Sequence, residues 1–341
     1  MIPVIDAGAL NGGESAARRA LCDAIGEACR GTGFFHVTGH GVPETLIAAT
    51  YEQAARFHAL PDAEKQRYHI ARSRNHRGYV PPGEEDYGDE PGVGRKASFD
   101  LAADLPADDP DYVAGYRFLG PNVWPDLPGF RETVGGYYEA VMAFGLRLLP
   151  AFARALDLPE DTFAPMFTKP TSNLRLLHYP APAPDTGSER LRLGIGSHTD
   201  SECFTILHQT RPGLQVMSVD GRWIDVAPLP GSFVVNVGDT LETWTNGLFT
   251  SGPHRVVGID EERYSLPLFF AANFDAWVEP LAPFVTAERP ARYRGFRSGE
   301  HILSEYAKGF RYLRALHDSG AIRLATPPGE TSRYMRAPAP A

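Results

Sequence analysis

Residue types and spacings that could do chemistry are concentrated in the second half of the chain. His198 and Asp200 stand two apart in Gly196-Ser197-His198-Thr199-Asp200. On an extended strand, residues i and i+2 leave the same face, so this imidazole and carboxylate would point together while Thr199 points away. A second histidine, His254, lies in the strand-like run Gly252-Pro253-His254-Arg255-Val256, and completes a three-ligand set if the two strands face each other in a barrel. Two histidines and one carboxylate leave the opposite face of a metal open, a geometry suited to oxygen chemistry at Fe(II). Arg263 and Ser265 share a face by the same rule and open the apolar run Leu266-Pro267-Leu268-Phe269-Phe270. They offer a guanidinium fork and a hydroxyl to a carboxylate.

Convergence of these side chains requires sheet. From Asn173 the polarity period is two, and short apolar runs are divided by the turn pairs Pro212-Gly213, Asp220-Gly221, Pro230-Gly231, Asn246-Gly247 and Asp260-Glu261. That pattern implies an all-β sandwich or barrel. We expect a mainly β protein with flanking α, a double-stranded β-helix (jelly roll) core with N-terminal and C-terminal helical additions. Residues 14–30 read as a helix, with Ala17, Leu21, Ile25 and Cys29 on one side; 34–38 read as a strand; 44–60 and 62–69 read as helices, the latter capped by Asp62. The longest helical pattern covers 129–156 and contains Pro150, and another runs from 298 to 317. Asp239 and Glu242 have the form of a capping box, which assigns Asp239 to structure. His36 and His40 are read as structural, having no carboxylate at ligand spacing. From Arg72 to Pro106, Gly, Pro and charge break the pattern, with turns at Pro81-Pro82-Gly83 and Pro91-Gly92-Val93-Gly94, so a long functional or mobile loop is expected.

His198-x-Asp200, His254 and Arg263-x-Ser265, framed by the runs 174–180 and 233–239, resemble the isopenicillin N synthase-like branch of the Fe(II)/2-oxoglutarate-dependent dioxygenases. The opening Ile2-Pro3-Val4-Ile5-Asp6 and the passage from Gly33 to Val42 are similar to that family as well. The resemblance implies Fe(II) held by His198, Asp200 and His254, 2-oxoglutarate chelating the metal with its far carboxylate on Arg263 and Ser265, and molecular oxygen at the last position. It implies Tyr179 and Leu207 beside the co-substrate, Leu214 and Phe269 lining the pocket, and Arg77-Gly78-Tyr79 and Lys96-Ala97-Ser98-Phe99-Asp100 at the mouth of the substrate pocket. Arg175, of the same strand parity as Tyr179, is expected to face inward. Many plant members carry asparagine two positions before that tyrosine, where this chain has Leu177. The implied reaction oxidises a C–H bond of a small metabolite by hydroxylation, desaturation or cyclisation, releasing succinate and carbon dioxide. Alternatives are an oxidase of the same fold that uses no 2-oxo acid, a non-catalytic metal-binding barrel, and zinc hydrolysis, which the donor set suits less well than iron.

Composition sets outer bounds. The 341 residues are 43% hydrophobic and 22% charged, with a net charge of −9 and a pI near 5.7, which argues against a nucleic-acid surface and for a small-molecule substrate. Cys22, Cys29 and Cys203 give neither a metal spacing nor a disulfide framework, so a cytoplasmic location is expected. No run reaches the roughly eighteen apolar residues of a membrane span. The expected organisation is an N-terminal region over 1–170, a jelly roll over 171–285, a helical cap over 286–325 and a poorly ordered tail over 326–341, in a monomer or weak homo-oligomer.

Overall fold

The computed structural model describes residues 1–12, 15–86, 96–181, 193–257 and 261–325. The expected turn at 91–94, the Asp260 end of another and the expected tail over 326–341 lie outside the described residues.

Strands β1 (Val4–Asp6), β2 (Phe34–Thr38), β3 (Gly78–Val80), β4 (Ala97–Ala102), β5 (Asn173–Tyr179), β6 (Leu193–His198), β7 (Phe204–Gln209), β8 (Leu214–Met217), β9 (Trp223–Asp225), β10 (Phe233–Val237), β11 (His254–Val257) and β12 (Arg263–Phe270) form the body of the molecule. A major sheet runs β1-β2-β10-β7-β12-β5-β4-β3 and a minor sheet runs β6-β11-β8-β9. A short ribbon pairs β13 (Trp277–Val278) with β14 (Phe296–Arg297). The two main sheets make the jelly roll.

Alternation along the strands decides which residues reach the interior. One parity of the major sheet, including Phe35, Phe99, Leu174, Leu176, Ile206 and Val235, packs outward in the largest apolar cluster. That cluster also takes in the apolar faces of three helices, α1 (Ala16–Arg30), α2 (Glu44–His58) and, after the short helices α3 (Asp62–Lys65) and α4 (Pro110–Ala114), α5 (Phe130–Arg154). The opposite parity faces the minor sheet, where Phe34, Leu214, Val216 and Val234 form one small cluster and Leu177, Tyr179 and Val256 another. Gly252 permits a close approach just before β11, since a Cβ there would lie 2.2 Å from the Thr32 carbonyl oxygen.

Several expectations change. The segment from 72 to 106 is not a structureless loop: it contains β3 and β4, which extend the major sheet, so the region expected over 1–170 contributes four strands to the same sheet as the jelly roll. Its polar residues had disguised a strand because they face a charged interior rather than solvent. Asp62 is the first residue of α3, preceded by Pro61, and pairs with Lys65 at 3.0 Å. In α6 (Asp239–Trp244) the cap position belongs to Gly238, and the Asp239 carboxylate accepts hydroxyls from other segments instead. The helical stretch expected over 298–317 divides at the extended residue Phe310 into α7 (Ser298–Gly309) and α8 (Arg311–Asp318). The three cysteines are free and buried, and no helix among the described residues is long and apolar enough to cross a membrane.

Candidate active site

β6 ends at His198 and β11 begins at His254, and the two residues are direct register partners in the minor sheet. Their ring centroids lie 4.2 Å apart. Each ring is turned by its own backbone, with Nδ1 of His198 2.9 Å from the Gly196 carbonyl and Nδ1 of His254 3.1 Å from the Gly252 carbonyl. A proton on Nδ1 donated to those carbonyls leaves the Nε2 lone pairs free, and both Nε2 atoms face one oxygen, Asp200 Oδ1, at 3.8 and 3.6 Å. Burial pushes the His198 imidazole down to about 3, so it is neutral and competent as a ligand at ordinary pH. The other oxygen, Asp200 Oδ2, is held by the Thr205 hydroxyl of β7 and by Asn236 Nδ2 of β10, the latter at 2.7 Å. One carboxylate oxygen is thereby anchored and the other presented.

These three donors lie within 4.8 Å of one another and are the one such group among the described residues. Metal bonds of roughly 2.1 Å can bridge donors up to about 4.2 Å apart, so the separations from Asp200 Oδ1 fit a single ion. The open side of the triad faces a cavity between the sheets, lined among others by Leu177, Tyr179, Leu207, Leu214, Arg263 and Phe269.

Arg263 and Ser265 also line this cavity, both buried. The guanidinium donates to Ser265 Oγ at 3.4 Å and to Gln209 Oε1 at 3.2 Å, and its carbon sits 4.9 Å from the Tyr179 ring centroid. Its Nε has no hydrogen-bond partner, and no carboxylate of the described residues pairs with it. A permanent cation buried without a counter-ion is a seat for an incoming carboxylate. Leu177, where plant relatives of the resembled family have an amide, lies opposite Ser265 and is apolar wall.

Arg175 does face inward, and it is tied to carboxylates: Nε donates to Asp100 at 3.0 Å and an amino nitrogen reaches Glu85 at 3.1 Å. Burial raises the Glu85 carboxyl, but Arg175 and Lys96 outweigh it and hold it at about 2. Arg77, Tyr79 and Phe99 depart from their expected place at the pocket mouth. Arg77 is 1% exposed and its guanidinium donates to the carbonyls of Asn75, His76 and Phe118. Tyr79 and Phe99 are register partners on the outward parity, with ring centroids 5.7 and 4.7 Å from Phe57 of α2. Their neighbours Ser98 and Asp100 take the inward face instead, joined to each other at 2.7 Å. Residues missed by sequence reasoning are Thr205, Gln209 and Asn236; the one available signal was a polar residue on the inward parity of an otherwise apolar strand.

Comparison with known proteins agrees with this geometry. Residues 2–127 match the model of the non-haem dioxygenase in morphine synthesis N-terminal family, and residues 170–272 match that of the 2OG-Fe(II) oxygenase superfamily. The chain is 36% identical over 317 residues to a 2-oxoglutarate-Fe(II) type oxidoreductase of Emericella nidulans, covering 90% of each chain. It is 37% identical to the clavatol oxidase of Penicillium crustosum over 78% of this chain and 84% of that one. Among solved structures it resembles a full-length Neurospora crassa protein in complex with alpha-KG and thymine, with a TM-score of 0.77, 27% identity and coverage of 90% and 96%. It also resembles the rice dioxygenase for auxin oxidation, with a TM-score of 0.70, 30% identity and coverage of 98% and 99%. A jelly roll with an open His-Asp-His cluster, matched along nearly its whole length by such enzymes, leaves one assignment: the chain belongs to the Fe(II)/2-oxoglutarate-dependent dioxygenases.

Proposed function

We propose that His198, Asp200 and His254 hold the Fe(II), that Arg263 and Ser265 with Tyr179 and Leu207 seat the 2-oxoglutarate, and that a small metabolite is oxidised on the side of the cavity toward Arg175, Leu214 and Phe269. The observation that carries this reading is the pairing of an open three-donor cluster with a buried guanidinium that has no counter-ion among the described residues, in one cavity. When both are bound, the metal and co-substrate supply oxidative decarboxylation to succinate and carbon dioxide, coupled to oxidation of a substrate C–H bond. The protein supplies placement. Thr205 and Asn236 hold Asp200 so that one oxygen is presented, and the two carbonyl contacts fix the tautomer of each histidine. Gln209 orients Arg263, which takes the far carboxylate with a planar fork that matches it at two points. Apolar walls at Leu177, Leu207 and Val256 exclude water from the reacting end.

The test is an anaerobic titration of the Fe(II) protein with 2-oxoglutarate, followed by oxygen and a metabolite panel. A metal-to-ligand absorption band, then succinate release, is expected, and alanine at His198, Asp200 or His254 should remove both together with bound iron. Full iron stoichiometry and turnover in any of these variants eliminates that residue from the set.

A further inference from the structure

A compact group of charges stands beside the cavity, on the wall made by β4 and β5. Lys96 and Arg175 both pair with Glu85, each at 3.1 Å, and Arg175 also pairs with Asp100 at 3.0 Å. All four side chains are between 0% and 6% exposed. Strand parity places Arg175 on the inward face with Leu177 and Tyr179, both of which line the cavity, and its guanidinium lies 5.7 Å from the ring of Phe269, another lining residue. The guanidinium also lies 5.3 Å from the Phe310 ring, at the junction of α7 and α8. The group is not itself part of the cavity lining; Arg175 stands next to the lining residue Phe269, with the Phe310 ring also near its guanidinium.

Donors and acceptors in the group are unevenly matched. Among the described residues two cations meet two carboxylates, so their charges balance. The acceptors are used: both Glu85 oxygens take Arg175, one of them also takes Lys96, and the Asp100 oxygens take Ser98, Arg175 and Asn173, with His76 Nε2 3.6 Å away. The donors are in surplus, because an ammonium has three N–H groups and Glu85 is the one partner of Lys96 among the described residues. Glu85 itself is fixed in place, since its neighbours are clipped to the α7–α8 junction by Asp86 N–H on the Gly309 carbonyl at 2.9 Å and Arg311 N–H on the Glu84 carbonyl at 3.0 Å. Buried ion pairs are weak evidence for stability, because apolar replacements serve as well or better, which directs attention to what such a group can recognise.

We propose that the Lys96–Glu85–Arg175–Asp100 group is the polar reader of the prime substrate and that it selects an uncharged, planar molecule presenting a carbonyl or amide oxygen, in preference to a carboxylate. An acceptor satisfies the surplus Lys96 donors, whereas a full negative charge would enter a buried site whose cations are already neutralised. The flanking rings of Phe269 and Phe310 suit an aromatic or heteroaromatic body. The proposal rests on the reading of the cavity given above.

The test uses matched pairs of isosteric probes, 4-methylbenzamide against 4-methylbenzoate and 3-methylbenzamide against 3-methylbenzoate. They are titrated calorimetrically into anaerobic Fe(II) protein saturated with 2-oxoglutarate. Tenfold or tighter binding of the amides is expected. Glu85→Gln leaves the group with one excess positive charge and should move the amide-to-carboxylate ratio at least tenfold toward the carboxylate. Lys96→Met, with one excess negative charge, should weaken the amides and abolish carboxylate binding, and thermal unfolding verifies that each variant is folded. Carboxylates binding as tightly as amides to the wild type, binding by neither series, or a ratio unmoved in both folded variants overturns the proposal. Absence of the 2-oxoglutarate absorption band in the wild type instead marks failure of the underlying functional reading.

Discussion

Thr199 and Asp239 are joined by a 2.6 Å hydrogen bond from the threonine hydroxyl to Asp239 Oδ1, and the same oxygen accepts from the Ser251 hydroxyl at 2.7 Å. Thr199 sits between His198 and Asp200, and Ser251 is three residues before His254. One carboxylate oxygen thus ties the two segments that carry the proposed ligands. Partners of this kind set metal affinity by roughly 10–100-fold. Asp239→Ala is expected to weaken Fe(II) binding by that order, and Asp239→Asn, which keeps an oxygen acceptor, by less. Anaerobic metal titration checks this, and unchanged affinity in the alanine variant would refute it.

Removing the cavity guanidinium should act on the co-substrate. Leaving a buried charge unpaired costs roughly 3–5 kcal/mol, so Arg263→Ala should raise the apparent requirement for 2-oxoglutarate about a hundredfold or more. Ser265→Ala removes a single hydrogen bond and should raise it roughly tenfold. The readout is succinate formation against 2-oxoglutarate concentration. A wild-type enzyme that turns over substrate fully with 2-oxoglutarate rigorously absent would sink this assignment.

Acid stability should be limited by buried neutral imidazoles. His58 is 6% exposed with Nε2 3.1 Å from the Leu176 carbonyl, and burial lowers its pKa from 6.5 to about 3. The unfolded chain then binds the extra proton between these two values, so stability from this group is complete above pH 6.5 and is lost as pH falls toward 3. The slope is about 1.4 kcal/mol per pH unit for each such group. His58→Gln, whose amide can donate to the same carbonyl, should flatten the fall in unfolding free energy between about pH 6 and 4. Equal slopes in both proteins, measured by urea denaturation, would remove His58 from the account.

Phe99 should matter to folding and not to substrate choice. Its ring lies 4.7 Å from that of Phe57 and 5.3 Å from that of Phe130, fully buried between sheet and helices. Phe99→Ala is expected to cost about 3–5 kcal/mol of stability, read from denaturant midpoints, while the apparent KM for substrate stays within twofold. A large rise in KM with unchanged stability would return Phe99 to the pocket.

The residue pairs at i, i+2 spacing were legible because strand geometry alone decides whether they share a face. Arg263 and Ser265 fall on one parity of β12, and Arg175 on the parity of Tyr179 in β5. What stayed hidden depends on partners distant in sequence. The run Lys96 to Asp100 is placed near the substrate pocket by resemblance alone, and its charge network shows only once Arg175 and Glu85 are seen to meet it. The inward face of β4 is polar, and the resemblance places Tyr79 and Phe99 at the pocket although both pack outward. Asp62 and Asp239 failed as caps for a related reason: an acidic residue at a helix start is equally suited to the first turn, and only the backbone shows whether Pro61 or Gly238 precedes it. Asn236 and Thr205 were invisible as supports because their partner, Asp200, is on a different strand connection.

The histidines of the cluster belong to the minor sheet, while Asp200 Oδ2 is fastened to Thr205 and Asn236 of the major sheet. A metal held by all three would be a rivet through the seam of the sandwich. Occupancy would then resist the shearing of one sheet past the other, adding RT ln(1 + [metal]/Kd) to the free energy of opening. Chelation should unfasten that seam first, so amide hydrogens of β6 and β11 would exchange faster in the stripped protein, while those of α5, packed on the far side of the major sheet, would change little.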